Sequence, residues 1–296
     1  EGKGSVVSII AEAGIGKSRL VKECRDRNAE GLQWVEGRSL AHLEAVSYVP
    51  VQDMIRGMAR KPGAGEDVLS GMIEMIGRYA GEALPHLSAL LTLLAGLELD
   101  EDQKKFLSGL DPAVLRGRME DAFINLVDRM SVERPMVMVW EDVHWSDRDS
   151  TALIEAMALR STALPVCQVL LFRPEKEDRC WALHQKLKDH LPGYRVIELD
   201  ALTGSEVAVL IQNLAGAGTV FGSLSEVVFE RTEGNPFYTE ELIRAIRDRQ
   251  QAGHDEADIR HFITSVLPQS FQGIVAARID NLHPEDKHVL QTASVM

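Results

Sequence analysis

Ser5-Val6-Val7-Ser8-Ile9-Ile10-Ala11-Glu12-Ala13-Gly14-Ile15-Gly16-Lys17-Ser18-Arg19-Leu20 is the stretch that decides the fold. A short apolar run is broken at once by a glycine-rich turn, and a helical pattern follows from Lys17 to about Arg27, which reads as strand, loop, helix. Ala11 to Ser18 matches the phosphate-loop template G-x-x-x-x-G-K-[ST] except at its first position, where Ala11 replaces glycine and adds only a methyl group. In that context the backbone N–H groups and the positive end of the helix converge on a phosphate. Gly14 and Gly16 let the main chain curl, Lys17 reaches the outer phosphates, and the Ser18 hydroxyl ligates Mg²⁺. The candidate nucleotide-binding residues are Ala11, Glu12, Ala13, Gly14, Ile15, Gly16, Lys17, Ser18 and Arg19.

Outward from this loop the chain keeps alternating. Leu32 to Gly37 reads as a second strand, and Pro50 suits the first turn of a helix with Val51, Met54, Ile55 and Met58 on one face. Residues 66–130 are helical in pattern, after a linker at Pro62, Gly63 and Gly65; within them Asp111-Pro112 predicts a helix start running to about Met130. Met136 to Trp140 is apolar on both faces, as a central parallel strand must be. Val166 to Phe172 repeats that pattern, and Arg195 to Leu199 gives a weaker, edge-like version. Helices are expected at Asp149 to Arg160, Glu177 to His190 and from about Gly204, where Thr203 and Glu206 form a capping box. The alternation predicts an α/β fold with a doubly wound parallel sheet, and helices alone after about Ser223.

The bulk composition narrows the function classes. Hydrophobic residues make up 45% and charged residues 26%, globular proportions, and 296 residues exceed the usual single domain. A net charge of −13 opposes counterion release, so a nucleic-acid or anionic-membrane face is not expected. Cys24, Cys167 and Cys180 stand far apart without C-x-x-C spacing, which argues against a disulfide framework or zinc site and fits a reducing cytoplasm. The most apolar stretch, Leu84 to Leu99, is interrupted by His86, Ser88 and Thr92 and reads as a buried helix rather than a membrane span. No secretory signal pattern opens the chain. Its first residue is Glu1 and Met296 falls within a helical pattern, so the expectation is a segment of a longer protein.

Glu141-Asp142 closes the most buried strand, where a Walker B acid belongs. Two adjacent acids there are costly unless paired or metal-bound. Glu141 is assigned to Mg²⁺, directly or through water, and Asp142 to orienting and polarising the attacking water. Neighbouring strand residues point to opposite faces, so on the sequence alone the two roles are interchangeable.

Glu141-Asp142-Val143-His144-Trp145-Ser146-Asp147 resembles the E-D-[LV]-H-W-[AS]-D signature of STAND-class ATPases, the signal-transduction branch related to AAA+ proteins. Gly37-Arg38-Ser39 followed by Tyr48-Val49-Pro50, and Leu110-Asp111-Pro112 with Arg116 and Arg118, resemble that family in the same order. Leu171-Phe172-Arg173-Pro174-Glu175 is similar to its "YRPE" segment, which implies a sensor arginine at Arg173. Gly234-Asn235-Pro236-Phe237-Tyr238 with Glu240-Glu241-Leu242 is similar to its G-N-P-F-[FY]-x-E-E-L motif, which implies that Pro236 packs on adenine and couples a helical lid to the nucleotide. Taken alone, Arg173 is also a surface arginine after a strand, and Pro236 a helix-starting proline. His144 and Trp145 read as packing and supporting residues rather than catalysts.

The resemblance implies an ATPase core over 1–202 with a helical insertion at about 62–131, a helical lid over 203–265 and the start of a winged-helix domain over 266–296. It implies ATP or ADP with Mg²⁺ as ligand, slow hydrolysis using Asp142, Glu141, Lys17 and Arg173, and a place in multidomain regulators of adenylate cyclase or LuxR type. Expected partners are further domains of the same chain, helical repeats and an effector, and a second copy in a nucleotide-dependent manner. A nucleotide-binding scaffold without catalysis and the regulatory arm of a cyclase are the alternatives. No N-K-x-D tetrad that reads guanine is present.

Overall fold

The computed structural model describes residues 4–60, 68–80, 85–215 and 219–266, with the single positions 286, 289 and 290. The chain divides into two units, Glu1–Ala13 with Lys17–Leu199, and Gly14–Gly16 with Asp200–Met296.

The first unit is built on a sheet of β1 (Ser5–Ile10), β2 (Gln33–Arg38), β3 (Met136–Glu141), β4 (Val166–Phe172) and β5 (Arg195–Glu198). Every pairing is parallel and the order is β2-β3-β4-β1-β5. Parallel neighbours need crossovers. Helices α1 (Lys17–Arg27), α2 (Val49–Ala59), α7 (Arg148–Ser161) and α8 (Arg179–His190) supply them, with α3 (Val68–Ala80), α4 (Pro85–Leu94), α5 (Glu101–Ser108) and α6 (Pro112–Glu133) inserted between β2 and β3. The expected α/β fold with a parallel sheet is what the chain adopts. β3 is buried from Met136 to Trp140, as its unbroken apolar run requires, and β5 is the short, largely exposed edge. Asp111 caps α6 by accepting from the Ala113 amide, with Pro112 in the first turn.

Several buried polar side chains inside this unit are paired with one another. Trp140 Nε1 donates to Gln168 at 2.8 Å, Gln168 donates to Ser161 at 2.7 Å, and Ser161 donates to the Met157 carbonyl. On another part of the sheet Tyr194 bonds both Ser8 and His184 Nδ1. Helix α2 packs closely on β2: a Cβ on Gly37 would lie 2.2 Å from the Pro50 carbonyl oxygen, so only glycine fits there. That approach fixes the strand end from which Arg38 projects.

The second unit contains α9 (Gly204–Ala215), α10 (Thr219–Thr232), α11 (Pro236–Gln251) and α12 (Glu256–His261), packed around Val207, Ile211, Leu224, Val228, Leu242 and Ile246. The capping box at α9 is present: the Thr203 amide donates to the Glu206 carboxylate at 2.8 Å and the Glu206 amide to Thr203 Oγ1 at 3.4 Å. The winged-helix expectation over 266–296 falls, apart from 266 and the three single positions, outside the described residues.

Candidate functional site

The loop between β1 and α1 takes the backbone course that its glycines permit. Gly14 and Gly16 have φ of 80° and 109°, in the region that side-chain-bearing residues avoid. A Cβ on Gly16 would meet nothing within 4 Å, so conformation rather than space calls for glycine. Lys17 opens α1 and its Nζ donates to the carbonyls of Ala11 at 2.7 Å and Glu12 at 3.1 Å. Ser18 and Arg19 follow on the exposed first turn, where amides have no intrahelical acceptor and the helix end is positive. Burial holds the Lys17 amine below its ordinary pKa; the Asp142 carboxylate opposes that shift and Arg173 adds to it. A curled amide loop, an ammonium group and a hydroxyl are a donor set that fits a polyphosphate with Mg²⁺.

Glu141 is the last residue of β3 and lies in register with Arg38, the last of β2. Asp142 then turns left-handed, with φ 54° and ψ 42°. Strand alternation would send the two carboxylates apart, but this turn brings both to one cation. Arg38 Nε lies 3.3 Å from Asp142 Oδ2 and 3.7 Å from Glu141 Oε2. A positive φ is uncommon for a non-glycine residue, and backbone strain of this kind clusters at functional sites.

The remainder of the signature anchors the turn. Asp147, buried, caps α7 by accepting from the amides of Asp149 and Ser150, both at 2.9 Å, and from the Ser150 hydroxyl. It also accepts from the Tyr48 amide at 3.1 Å, where Tyr48 stands left-handed at the start of α2. Ser39 and Ser146 share a buried hydrogen bond of 2.6 Å, and Arg179 donates to the Ser146 carbonyl at 3.0 Å. One motif thus ties the loops after β2 and β3 to the start of α8.

Arg173, just past β4, lies over the Trp145 ring with its guanidinium carbon 5.3 Å from the centroid, and is 3.6 Å from Glu175. Trp145 contacts the His144 ring, centroids 4.5 Å apart. Burial first, and then the charge of Arg173, pushes the His144 imidazole down to about 4. Adjacent strands β1 and β4 send the chain in opposite directions across the sheet, and the crevice beyond the carboxyl ends of such strands is where α/β sheets bind ligands. Lys17, Glu141, Asp142 and Arg173 all follow or end strands at that edge.

Pro236 belongs to the second unit. It occupies the first turn of α11, and Asn235 caps that helix by accepting from the Tyr238 amide at 3.2 Å. Gly14–Gly16 pack with the same unit: the Phe237 amide donates to the Gly14 carbonyl at 3.3 Å, and a Cβ on Gly14 would lie 2.7 Å from Asn235 Oδ1. Sequence reading assigned no role to Arg38 or Asp147. Arg38 had a signal in ending the strand before the acids, and Asp147 in preceding a helical pattern as an N-cap acid.

The model of the AAA ATPase domain family matches residues 1–171. A relative, the uncharacterized protein R02095 of Rhizobium meliloti (strain 1021), is 29% identical over 181 residues, which cover 58% of this chain. The chain spans only 16% of that protein's length. Among solved structures it is similar to the ORC2 protein of Aeropyrum pernix in its ADPNP-ADP complexes (TM-score 0.49, 14% identity, 89% of this chain and 62% of that one). It is also similar to Drosophila ORC bound to DNA (TM-score 0.36, 11% identity, 93% of this chain and 61% of that one). With more than half of its residues matched by the family model, the chain belongs to the AAA ATPase domain family.

Proposed function

We propose that this chain is an ATP-binding, slowly hydrolysing nucleotide switch, a STAND-class module within a larger regulatory protein. The observation that carries the reading is the loop with positive φ at Gly14 and Gly16 that leads into Lys17 at the start of α1, with Asp142 and Arg173 acting electrostatically on the Lys17 amine. Ser18 and Glu141 hold Mg²⁺, which neutralises phosphate charge. Lys17 leaves the Ala11 and Glu12 carbonyls for the phosphates. Asp142 orients the attacking water, and Arg173 meets the charge that develops on the transferred group. Pro236 packs on the adenine, so that ATP and ADP favour different arrangements of the core over 1–202 and a helical lid over 203–265. Such a ligand shifts an equilibrium only through differential contacts, which Arg173 and Pro236 supply. The much greater length of the R02095 relative supports a module among further domains, with an effector and helical repeats as partners and nucleotide-dependent self-association as a mode of signalling. The charge of −13 supports a role without direct nucleic-acid contact, and among the described residues no helix is long and apolar enough to cross a membrane.

The test is thermal unfolding with competition binding. Mg-ATP or Mg-ADP at 100 times Kd is expected to add about 2.7 kcal/mol of stability, with GTP competing weakly. The absence of any thermal shift at saturating nucleotide, or equal competition by GTP, would contradict the reading.

A further inference from the structure

Helix α11 begins with an amide that its own turn cannot satisfy. The first amides of a helix have no intrahelical acceptor, and at α11 each of them is accounted for. The Asn235 amide donates to the Thr232 carbonyl at 2.9 Å, Pro236 has no N–H, and the Tyr238 amide donates to Asn235 Oδ1 at 3.2 Å. The Phe237 amide donates to the Gly14 carbonyl at 3.3 Å, so the glycine loop supplies the acceptor that the helix lacks. The approach is close, since a Cβ on Gly14 would lie 2.7 Å from Asn235 Oδ1. Gly14–Gly16 accordingly cluster with the second unit, and not with the strand and helix on either side of them.

The two sides of this bond differ in stiffness. The start of α11 is pinned within the second unit: the Leu202 amide donates to the Gly234 carbonyl at 2.8 Å, and a Cβ on Gly234 would lie 2.0 Å from the Leu202 carbonyl oxygen. Gly14 and Gly16, at φ of 80° and 109°, belong to a loop with wide backbone freedom to lose. A phosphate held by the loop amides and the bond from Phe237 both require the loop in one course. Each therefore lowers the ordering cost that the other meets, which is positive coupling. We propose that the second unit senses the phosphate end of the ligand through the main chain, from the Gly14 carbonyl to the Phe237 amide, so that a polyphosphate without a base engages α11 as ATP does. This rests on the nucleotide-switch reading above and adds a route that bypasses adenine and Pro236.

The experiment follows single-residue hydrogen exchange at the Phe237 and Tyr238 amides of the parent chain, with Mg-tripolyphosphate, adenosine, Mg-ATP or no ligand. Displacement of a fluorescent nucleotide establishes tripolyphosphate occupancy. Tyr238 is the internal control, because its acceptor on Asn235 lies in the same turn. Mg-tripolyphosphate and Mg-ATP are expected to slow exchange at Phe237 about two- to tenfold more than at Tyr238, the worth of one hydrogen bond. Adenosine is expected to leave Phe237 unchanged. Linkage makes the coupling reciprocal, so Asn235→Ala, which loosens the start of α11, should weaken tripolyphosphate binding about two- to tenfold. Asn235→Ser keeps a capping oxygen and should stay within about twofold of the parent. A cap that served folding alone would lower the unfolding midpoint of Asn235→Ala and leave tripolyphosphate affinity untouched, which overturns the proposal. Protection of Phe237 by Mg-ATP with none under bound tripolyphosphate overturns it in favour of the base, as does tripolyphosphate that fails to displace nucleotide at millimolar concentration. Equal slowing at both amides means that α11 tightens as a whole, and also overturns it. The exchange measurements use the parent alone and decide even where a variant fails to fold. Mg-ATP that binds while Phe237 exchange is unmoved overturns the proposal and leaves the nucleotide reading standing; a parent that binds no nucleotide removes both.

Discussion

The interior of the sheet and the turn that leaves β3 treat buried polar atoms in opposite ways. Inside, Trp140, Gln168 and Ser161 form a closed ladder that ends on a helix carbonyl, and His184 is satisfied by Tyr194. At the turn, His144 is buried too, at 7% exposed, and its ring nitrogens have no hydrogen-bond partner among the described residues, beside an aspartate held in left-handed backbone. Both regions lie in the same unit, and β3 runs from one into the other. The difference teaches where stability was optimised and where it was conceded: local conflicts in an otherwise consistent chain gather at functional sites.

The contrast yields substitutions with separable readouts. The largest loss of stability is expected from Gln168→Leu, which strands the Trp140 indole N–H in the core and costs about 1–3 kcal/mol; chemical denaturation measures it, and no change would mean that the ladder is ornamental. Lys17→Ala is expected to act the other way round. It leaves the unfolding midpoint without nucleotide nearly unchanged and weakens ATP and ADP binding about tenfold or more, since charge-assisted hydrogen bonds are worth about 1.5–3 kcal/mol. Titration of a fluorescent nucleotide checks it, and unaltered affinity would remove Lys17 from the site. The smallest effect is a pH dependence at His184. Burial and Lys188 hold its folded pKa below the ordinary value, so the unfolded chain binds more protons and stability falls as pH drops through about 6.5. Thermal unfolding between pH 7.5 and 5.5 should show a shallower fall in His184→Gln than in the parent; identical slopes would mean that His184 titrates normally.

Much of this was legible in the residues. The β3 run from Met136 to Trp140 announces a strand buried on both faces, and Asp111-Pro112 and Thr203 with Glu206 mark helix starts by local chemistry alone. Those signals are short-range, so they survive without tertiary information. What sequence could not supply was direction. Period-two alternation left the facing of Glu141 and Asp142 open, because the answer lies in one positive φ at Asp142 that no pattern of residue types encodes. The same turn explains why Arg38 went unassigned: its partners follow it by a hundred residues, and only the β2-β3 register joins them. Asp147 is a similar case, an N-cap readable from Asp-Arg-Asp-Ser, whose second bond to the Tyr48 amide depends on the packing of α2 beside α7.

Single-turnover hydrolysis of radiolabelled ATP, run with equilibrium binding on the same preparations of parent, Asp142→Asn and Glu141→Gln, tests the central claim most directly. The parent is expected to turn over on the order of 10⁻⁴ to 10⁻² per second, as NTPases do without an added arginine. Asp142→Asn should keep or tighten ATP binding, having lost an anion beside the triphosphate, while its rate drops at least about tenfold. Loss of rate in Glu141→Gln with Asp142→Asn unaffected would exchange the roles of the two acids. Parental rates in both variants, or a parent that binds ATP with no measurable turnover, would contradict the hydrolysing switch and leave a nucleotide-binding scaffold.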